Sequence, residues 1–231
     1  MQLKKVREYI DRYAKFLGTR SSDSNLYKWE SQAIFQQNWN LAAPDFVEMY
    51  DASLQNSTTR RLWKRDNYDP KAMMKKFIKM EPEYVRHAFT DLFDENKDIE
   101  GRVDRFVFYC DQFLEQYKEE NPLKIDNNHY HGDYYLVSIY LAFRYPENYS
   151  IYSADLFQGA LQRLGSMDVP KINDVGRFFK VSRTLQKMLN QNESVMEGNK
   201  KRIVDPRLYK DETLLLAHDF MGAIFAGHLE K

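Results

Sequence analysis

The chain has 231 residues, 43% apolar and 15% aromatic, with Lys+Arg and Asp+Glu balanced at 34 each. That length admits one large domain or two small ones, with enough buried surface to fold without a disulfide or structural metal. Zero net charge excludes a globally polycationic nucleic-acid binder. The single cysteine, Cys110, excludes an internal disulfide and points to a cytoplasmic chain. No apolar stretch approaches the ~20 residues that span a bilayer, so no membrane segment is expected.

The start, MQLKKVREYIDRYAKFL, is charged throughout and unlike a secretory leader. Leu3, Val6, Ile10, Tyr13, Ala14 and Leu17 step by three and four, which predicts a helix stopped at Gly18. Ser22 or Asp23 is the expected cap of a second helix carrying Leu26, Trp29 and Ala33. Pro44-Asp45 opens a third, with Phe46, Met49, Tyr50 and Leu54. Asp69-Pro70 reads as N-cap and first helical position ahead of Met73, Met74, Phe77 and Ile78. Pro82 restarts a helix with Val85, Phe89, Leu92 and Phe93.

The longest periodic run extends from about Asp98 to Glu120 and ends at Asn121-Pro122. A polar loop containing His129, His131 and Asp133 follows, with Asp133 as a cap for a helix through Leu136, Ile139, Tyr140 and Phe143. Tyr149–Tyr152 alternates like a brief strand. Ser153 and Asp174 are expected caps for two further helices, NESVMEGNKKR reads as a loop or linker, and a last helix starts near Asp211. The fold class expected is mainly α, a globular bundle of nine or ten helices packed on one another, with room for one short β-hairpin.

Charge is distributed unevenly. Residues 60–79 hold eight basic and two acidic side chains (8 − 2 = +6), and 171–210 hold ten and four (10 − 4 = +6). Residues 81–120 hold five and twelve (5 − 12 = −7). Such segregation can build a basic face on a neutral protein, the alternative being an ordinary solvated surface.

Catalytic signatures are absent from the sequence. There is no GxxxxGK[ST] loop, no GxGxxG turn, no GxSxG elbow and no HExxH helix. No enzyme and no cofactor are therefore expected. His129, His131 and Asp133 are the best metal candidates, set against a plain polar loop. Asp91, Asp94, Glu95 and Asp98 offer paired carboxylates, but a helix-end cluster beside the next N-terminus is the simpler reading.

Aromatic and basic residues supply the other handle. Trp63, Tyr145, Tyr149 and Tyr152 are candidates to stack on bases, as are Trp29 and Trp39 if they are not core. Arg60, Arg61, Lys64, Arg65, Lys75, Lys76, Arg144, Lys200, Lys201 and Arg202 are candidates to meet phosphate.

An ordered series of motifs carries a family resemblance. Tyr27-Lys-Trp29-Glu, Phe35-Gln-Gln-Asn-Trp39-Asn-Leu and Asp45-Phe46-Val-Glu-Met49 open it. Tyr68-Asp-Pro70, Glu81-Pro-Glu-Tyr-Val85-Arg86, Phe89-Thr-Asp-Leu92-Phe93-Asp-Glu95 and Arg102-Val-Asp-Arg105-Phe106 continue it. It closes with Tyr140-Leu-Ala-Phe-Arg144-Tyr145-Pro146-Glu-Asn-Tyr149-Ser-Ile151-Tyr152. Over about residues 27–165 this resembles the helical N-terminal region of McrB-like AAA+ proteins of modification-dependent (type IV) restriction systems.

The resemblance implies a target-recognition module of a phage-defence system, binding nucleic acid and in particular modified DNA. An AAA+ motor and a nuclease subunit are the implied partners. No motor is encoded in these residues, so the chain is expected to be non-catalytic, either a domain of a longer protein or a stand-alone relative. The implied organisation is a recognition domain over 1–190, a linker over 191–210, and a helix over 211–231 that packs on the domain or leads to a motor. A protein-interaction or scaffold domain of a defence complex is the alternative, and a metal-dependent nuclease the lesser one.

Overall fold

The computed structural model describes residues 1–64, 69–122, 130 and 134–230. Among them are eleven α-helices and one 3₁₀ turn, with no strand. The helices are α1 (Leu3–Phe16), α2 (Tyr27–Asn38), α3 (Phe46–Ser53), α4 (Pro70–Met80), α5 (Pro82–Leu92), α6 (Ile99–Glu120), α7 (Tyr135–Arg144), α8 (Ala154–Arg163), α9 (Val175–Asn190), α10 (Glu193–Arg202) and α11 (Leu215–Phe225). The mainly α expectation stands. The count is one higher than the sequence predicts, and the β-hairpin is not seen among the described residues.

Local chemistry explains most boundaries. Asp45, Asp69, Asp98, Asp174 and Asn192 each accept a hydrogen bond from the backbone N–H three residues on, closing an orphan donor at a helix start. Pro70 and Pro82 occupy first-turn positions, where a missing N–H costs nothing. Gly165 and Gly227 end α8 and α11 with positive φ angles of 68° and 75°. Around them Ser166 N–H donates to Leu161 O and His228 N–H to Ala223 O, the crossed pattern of a Schellman cap.

Three local expectations are corrected. Ser22 does not cap α2; its hydroxyl donates to Thr19 O at 2.7 Å, with Leu17 O at 3.2 Å sharing the same proton, at the end of α1. The segment Tyr149–Tyr152 pairs with no strand; Tyr152 N–H donates instead to the Ser138 hydroxyl of α7 at 2.8 Å. NESVMEGNKKR is not a loop but α10, with Asn192 as cap, Glu193 in the first turn and Lys200, Lys201 and Arg202 in the last. That charge order complements the helix dipole. Only Val195 and Arg202 of α10 are buried, so its apolar period is too weak to read.

Helices α2 to α7 form one packed group and α1 with α8 to α11 another, joined where α6 meets α9. α7 is buried from Leu136 to Phe143 and α11 from Leu215 to Met221, so each is the centre of its group. Phe89 sits amid the rings of Trp39, Tyr50, Phe93, Phe106 and Tyr140, with centroid separations of 5.0–6.3 Å. Edge-on and tilted contacts of this kind add to the apolar burial.

Three tyrosines thread hydroxyls through that core. Tyr50 and Tyr140 are 2.6 Å apart, Tyr140 and Tyr130 are 2.9 Å apart, and Tyr130 donates to Pro70 O at 2.9 Å. Each hydroxyl has one proton. All three contacts are hydrogen bonds only if donation runs from Tyr50 to Tyr140 to Tyr130 to Pro70 O.

Candidate nucleic-acid interface

The first basic segment builds a cleft where α3 meets α4. Asn56 starts the connecting loop, its side-chain oxygen accepting from Thr58 N–H and Thr59 N–H at 2.9 and 2.7 Å. Ser57 anchors the loop to α2, donating its N–H and hydroxyl to the Glu30 carboxylate at 3.1 and 2.8 Å. The chain then turns through Arg60–Lys64 and seats the Trp63 indole in the core, 4% exposed.

The resulting cleft, about 270 Å³, is lined by Arg60, Lys64, Lys71 and Lys75 against Asp51 and Asp69. Four cations against two carboxylates leave it at 4 − 2 = +2. Its floor is committed to structure. Lys71 donates to Leu54 O at 2.6 Å and Asp51 O at 3.1 Å, closing the end of α3, and lies 5.4 Å above the Trp63 ring. Lys71 and Lys75 reach the Asp51 carboxylate at 3.2 and 2.9 Å. Burial lowers the Lys71 ammonium, with Asp51 opposing it. Burial alone would raise Asp51, but hydrogen bonds from Lys75 and Lys71 outweigh it and hold the carboxyl below its ordinary value.

The rim is freer. Lys64 makes only a 3.8 Å approach to Asp69, with both side chains over a third exposed. Among the described residues no carboxylate lies within 4 Å of Arg60 or Arg61. Burial raises the Tyr27 hydroxyl at the start of α2, and the nearby Arg61 charge opposes it.

The second basic segment reaches the same helix through Tyr209 and Arg207. Tyr209 N–H donates to Trp29 O at 3.1 Å, and the Glu30 carboxylate acts on the Arg207 guanidinium. The ends of both basic segments therefore lie near the first turn of α2.

Other sequence candidates fall elsewhere. Lys76 stands 4.8 Å from the Tyr117 ring, against α6. Arg144 is exposed and lies over Tyr145 at 5.1 Å. Tyr145 is half-buried, its hydroxyl donating to Phe93 O at 2.8 Å. Lys200 and Lys201 are exposed on α10.

Trp63, Tyr149, Tyr152 and Arg202 are corrected from binding candidates to core residues. All are buried, with Trp63 at the bottom of the cleft it lines, 4% exposed. The Tyr149 hydroxyl accepts from Arg102 at 2.6 Å and donates to Glu95 at 3.1 Å. The Tyr152 hydroxyl lies 3.2 Å from both Asn173 Oδ1 and Asp174 N. Trp29 is wholly buried and Trp39 packs on Phe35 at 4.6 Å. Arg65, His129, His131 and Asp133 lie outside the described residues.

The acidic cluster before α6 divides into structural roles. Asp91 is 7% exposed and pairs with Lys97 at 2.6 Å and Arg105 at 2.8 Å. Glu95 accepts from Asn148 and Tyr149, and Asp98 caps α6. Among the described residues no group of three or more His, Cys, Asp or Glu side chains is placed to hold a metal ion.

One polar centre escapes sequence reading altogether. Asp219 on α11 accepts from Tyr13 at 2.7 Å, Asn25 at 2.8 Å and Arg202 at 2.8 Å. Arg202 also donates to Ser22 O at 2.8 Å and lies 5.0 Å over Trp29. Beside them Lys28 Nζ is 3.0 Å from His218 Nε2. Burial brings the Lys28 ammonium down to about 8 despite the pull of Asp219. Burial, reinforced by Lys28, pushes His218 well below its usual value and keeps the imidazole neutral. These groups come from α1, the 3₁₀ turn, α2, α10 and α11, so no sequence spacing announces them.

No protein-family model, curated protein or solved structure matches this chain. Among the described residues no helix is long and apolar enough to cross a membrane.

Proposed function

We propose that the chain is a non-catalytic recognition module that binds nucleic acid through the rim of the α3–α4 cleft and the adjoining start of α2. The observation that carries this reading is the convergence of the basic segments. Arg60 and Lys64 line the cleft, and Arg61 and Arg207 both lie within electrostatic reach of the first turn of α2, at Tyr27 and Glu30, although net charge over the whole chain is zero. A duplex backbone supplies the matching row of phosphates, and neutralising them releases counterions.

The cations of the rim are engaged weakly or not at all. The Lys64–Asp69 pair holds little energy and exchanges readily for phosphate, whereas Arg207 is gripped by both oxygens of Asp205 and would have to turn from them to meet a phosphate. Buried Trp63 would hold the rim in place rather than read bases. Recognition therefore rests on backbone contact, with positioning rather than sequence readout as its main consequence. The resemblance to McrB-like N-terminal regions supports the same reading. It makes modified DNA the first ligand to test, and a motor or nuclease subunit the component that would act on the bound target.

Fluorescence anisotropy with a labelled duplex, modified or unmodified, tests the proposal. Reversing Arg60, Arg61 and Lys64 to Glu should weaken binding at low salt by about 100-fold, while the same change at Lys76 and Lys79 should have little effect. Equal binding by the rim variant and the native chain, or no binding by the native chain at low salt, refutes it.

A further inference from the structure

Two exposed surfaces on this chain complement each other. The first is a groove of about 790 Å³ between α10 and the segment that follows it, with Met196, Ile203 and Val204 among its apolar walls and Lys200 and Lys210 at its edges. Val204 is 69% exposed and Met196 38%. Among the described residues neither lysine has a carboxylate within 4 Å, and Glu197 in the same wall is held by Lys201 at 2.8 Å. The groove is thus apolar inside and positive at its margin.

The second surface is the outer face of α6. Phe108 projects from it, 56% exposed against 45% for Phe225 on α11. Asp104 lies one turn before it and Glu115 two turns after, both exposed and on the same face by helical spacing. Neither carboxylate has a Lys or Arg partner within 4 Å among the described residues. Among the described residues Asp104 is held by the Tyr134 hydroxyl, at 2.6 Å. An apolar knob flanked by carboxylates therefore stands on α6, and an apolar groove flanked by ammonium groups on α10.

We propose that a second copy of this chain occupies the groove, seating Phe108 of α6 between Met196, Ile203 and Val204. Asp104 and Glu115 of one copy then meet Lys200 and Lys210 of the other. Each surface is fixed on its own helix, so one molecule does not fill its own groove. The contact is heterologous: knob and groove are different patches, and a bound pair leaves one knob and one groove unfilled. Such contacts grow as chains or close as rings, rather than stopping at a two-fold dimer. The apolar knob gives adhesion, and the flanking charges give orientation and a dependence on salt.

Sedimentation velocity on the full chain, from about 10 µM to about 1 mM, reads the outcome. The native chain should show a weight-average mass that rises with concentration and falls back at high salt. Phe108→Asp and the double variant Lys200→Glu/Lys210→Glu should each remain monomeric. Circular dichroism melts that match the native chain establish that both variants are folded.

Mixing the two variants gives the sharpest reading. One retains an intact groove and the other an intact knob, so an equimolar mixture should form a capped one-to-one dimer and nothing larger. A native chain that is monomeric at every concentration overturns the proposal. So does assembly that both variants leave unchanged. If the lysine variant instead loses duplex affinity while the native chain stays monomeric, the groove belongs to nucleic acid and the proposal fails.

Discussion

Replacing Arg202 with Met should destabilise the fold while leaving nucleic-acid affinity per folded molecule unchanged. Arg202 and Asp219 are 2% and 1% exposed, with 2.8 Å between Nη1 and Oδ2. Removing one member of a buried ion pair leaves the other charge uncompensated, a loss of about 3–5 kcal/mol. Asp219 keeps its donors Tyr13 and Asn25, which places the carboxylate's share near the lower end. Ser22 O loses its guanidinium donor, which adds about 1 kcal/mol. The expected total is about 4 kcal/mol, or a fall in Tm of roughly 8–16 °C for a domain of this size.

Urea titration at neutral pH measures the loss. A cycle combining Arg202→Met with Asp219→Asn should show a coupling of roughly 2 kcal/mol or more, because the two side chains share one contact. A loss below about 1 kcal/mol would mean that the pair is solvated and that α10 is not pinned to α11. A selective fall in duplex affinity with stability intact would return Arg202 to the binding surface.

The remaining predictions concern pH and the core. Lys28 titrates near 8 in the folded chain against an ordinary value of 10.5, so between those limits the unfolded chain binds more protons and stability should rise with pH. Lys28→Met should flatten that rise in urea titrations across the alkaline range. His218 is lowered, so stability should also fall as pH drops below 6.5, and His218→Gln should remove that part of the acid sensitivity. Tyr130→Phe should cost about 2 kcal/mol and Tyr50→Phe about 1 kcal/mol or less. The first strands Pro70 O and a Tyr140 proton, whereas the second removes only the start of the hydroxyl chain; equal losses in thermal melts would contradict the assigned polarity. Gly165→Ala should cost about 1–2 kcal/mol, since Gly165 has φ 68° and a Cβ there would meet Gln2 within 3.1 Å. A neutral result in the same melts would mean that the turn relaxes.

What the sequence discloses about this molecule divides along the range of the interactions involved. Asp69-Pro70 and Asp98 are readable because a cap acts three residues away, and the structure puts both where the spacing predicts. The long apolar face of α6 is readable because burial repeats every turn. α10 is missed because its stability comes from one buried Val, one buried Arg and the charge order of its ends, none of which makes a period.

Side-chain roles are less legible than helices. Trp63 in its run of basic residues looks like a nucleic-acid contact, yet it is the hydrophobic anchor that lets its neighbours face outward. Arg202 follows two exposed lysines in sequence but rotates inward by one helical step to meet Asp219, seventeen positions away. The Lys28–His218 contact joins residues 190 positions apart, and only the packed helices bring them together. Charge patterning offers Arg60, Arg61 and Lys64 as candidates, and all three are exposed, Arg60 and Lys64 on the cleft.

The salt dependence of duplex binding tests the central claim most directly. With Arg60, Arg61, Lys64 and Arg207 each neutralising one phosphate, a plot of log affinity against log salt should have a slope of about −3.6, at −0.9 per phosphate. Removing Arg60 and Arg61 together as Ala should bring the slope to about −1.8 without disturbing the fold. A native slope near zero, or a slope that the double substitution leaves unchanged, would contradict recognition through this face.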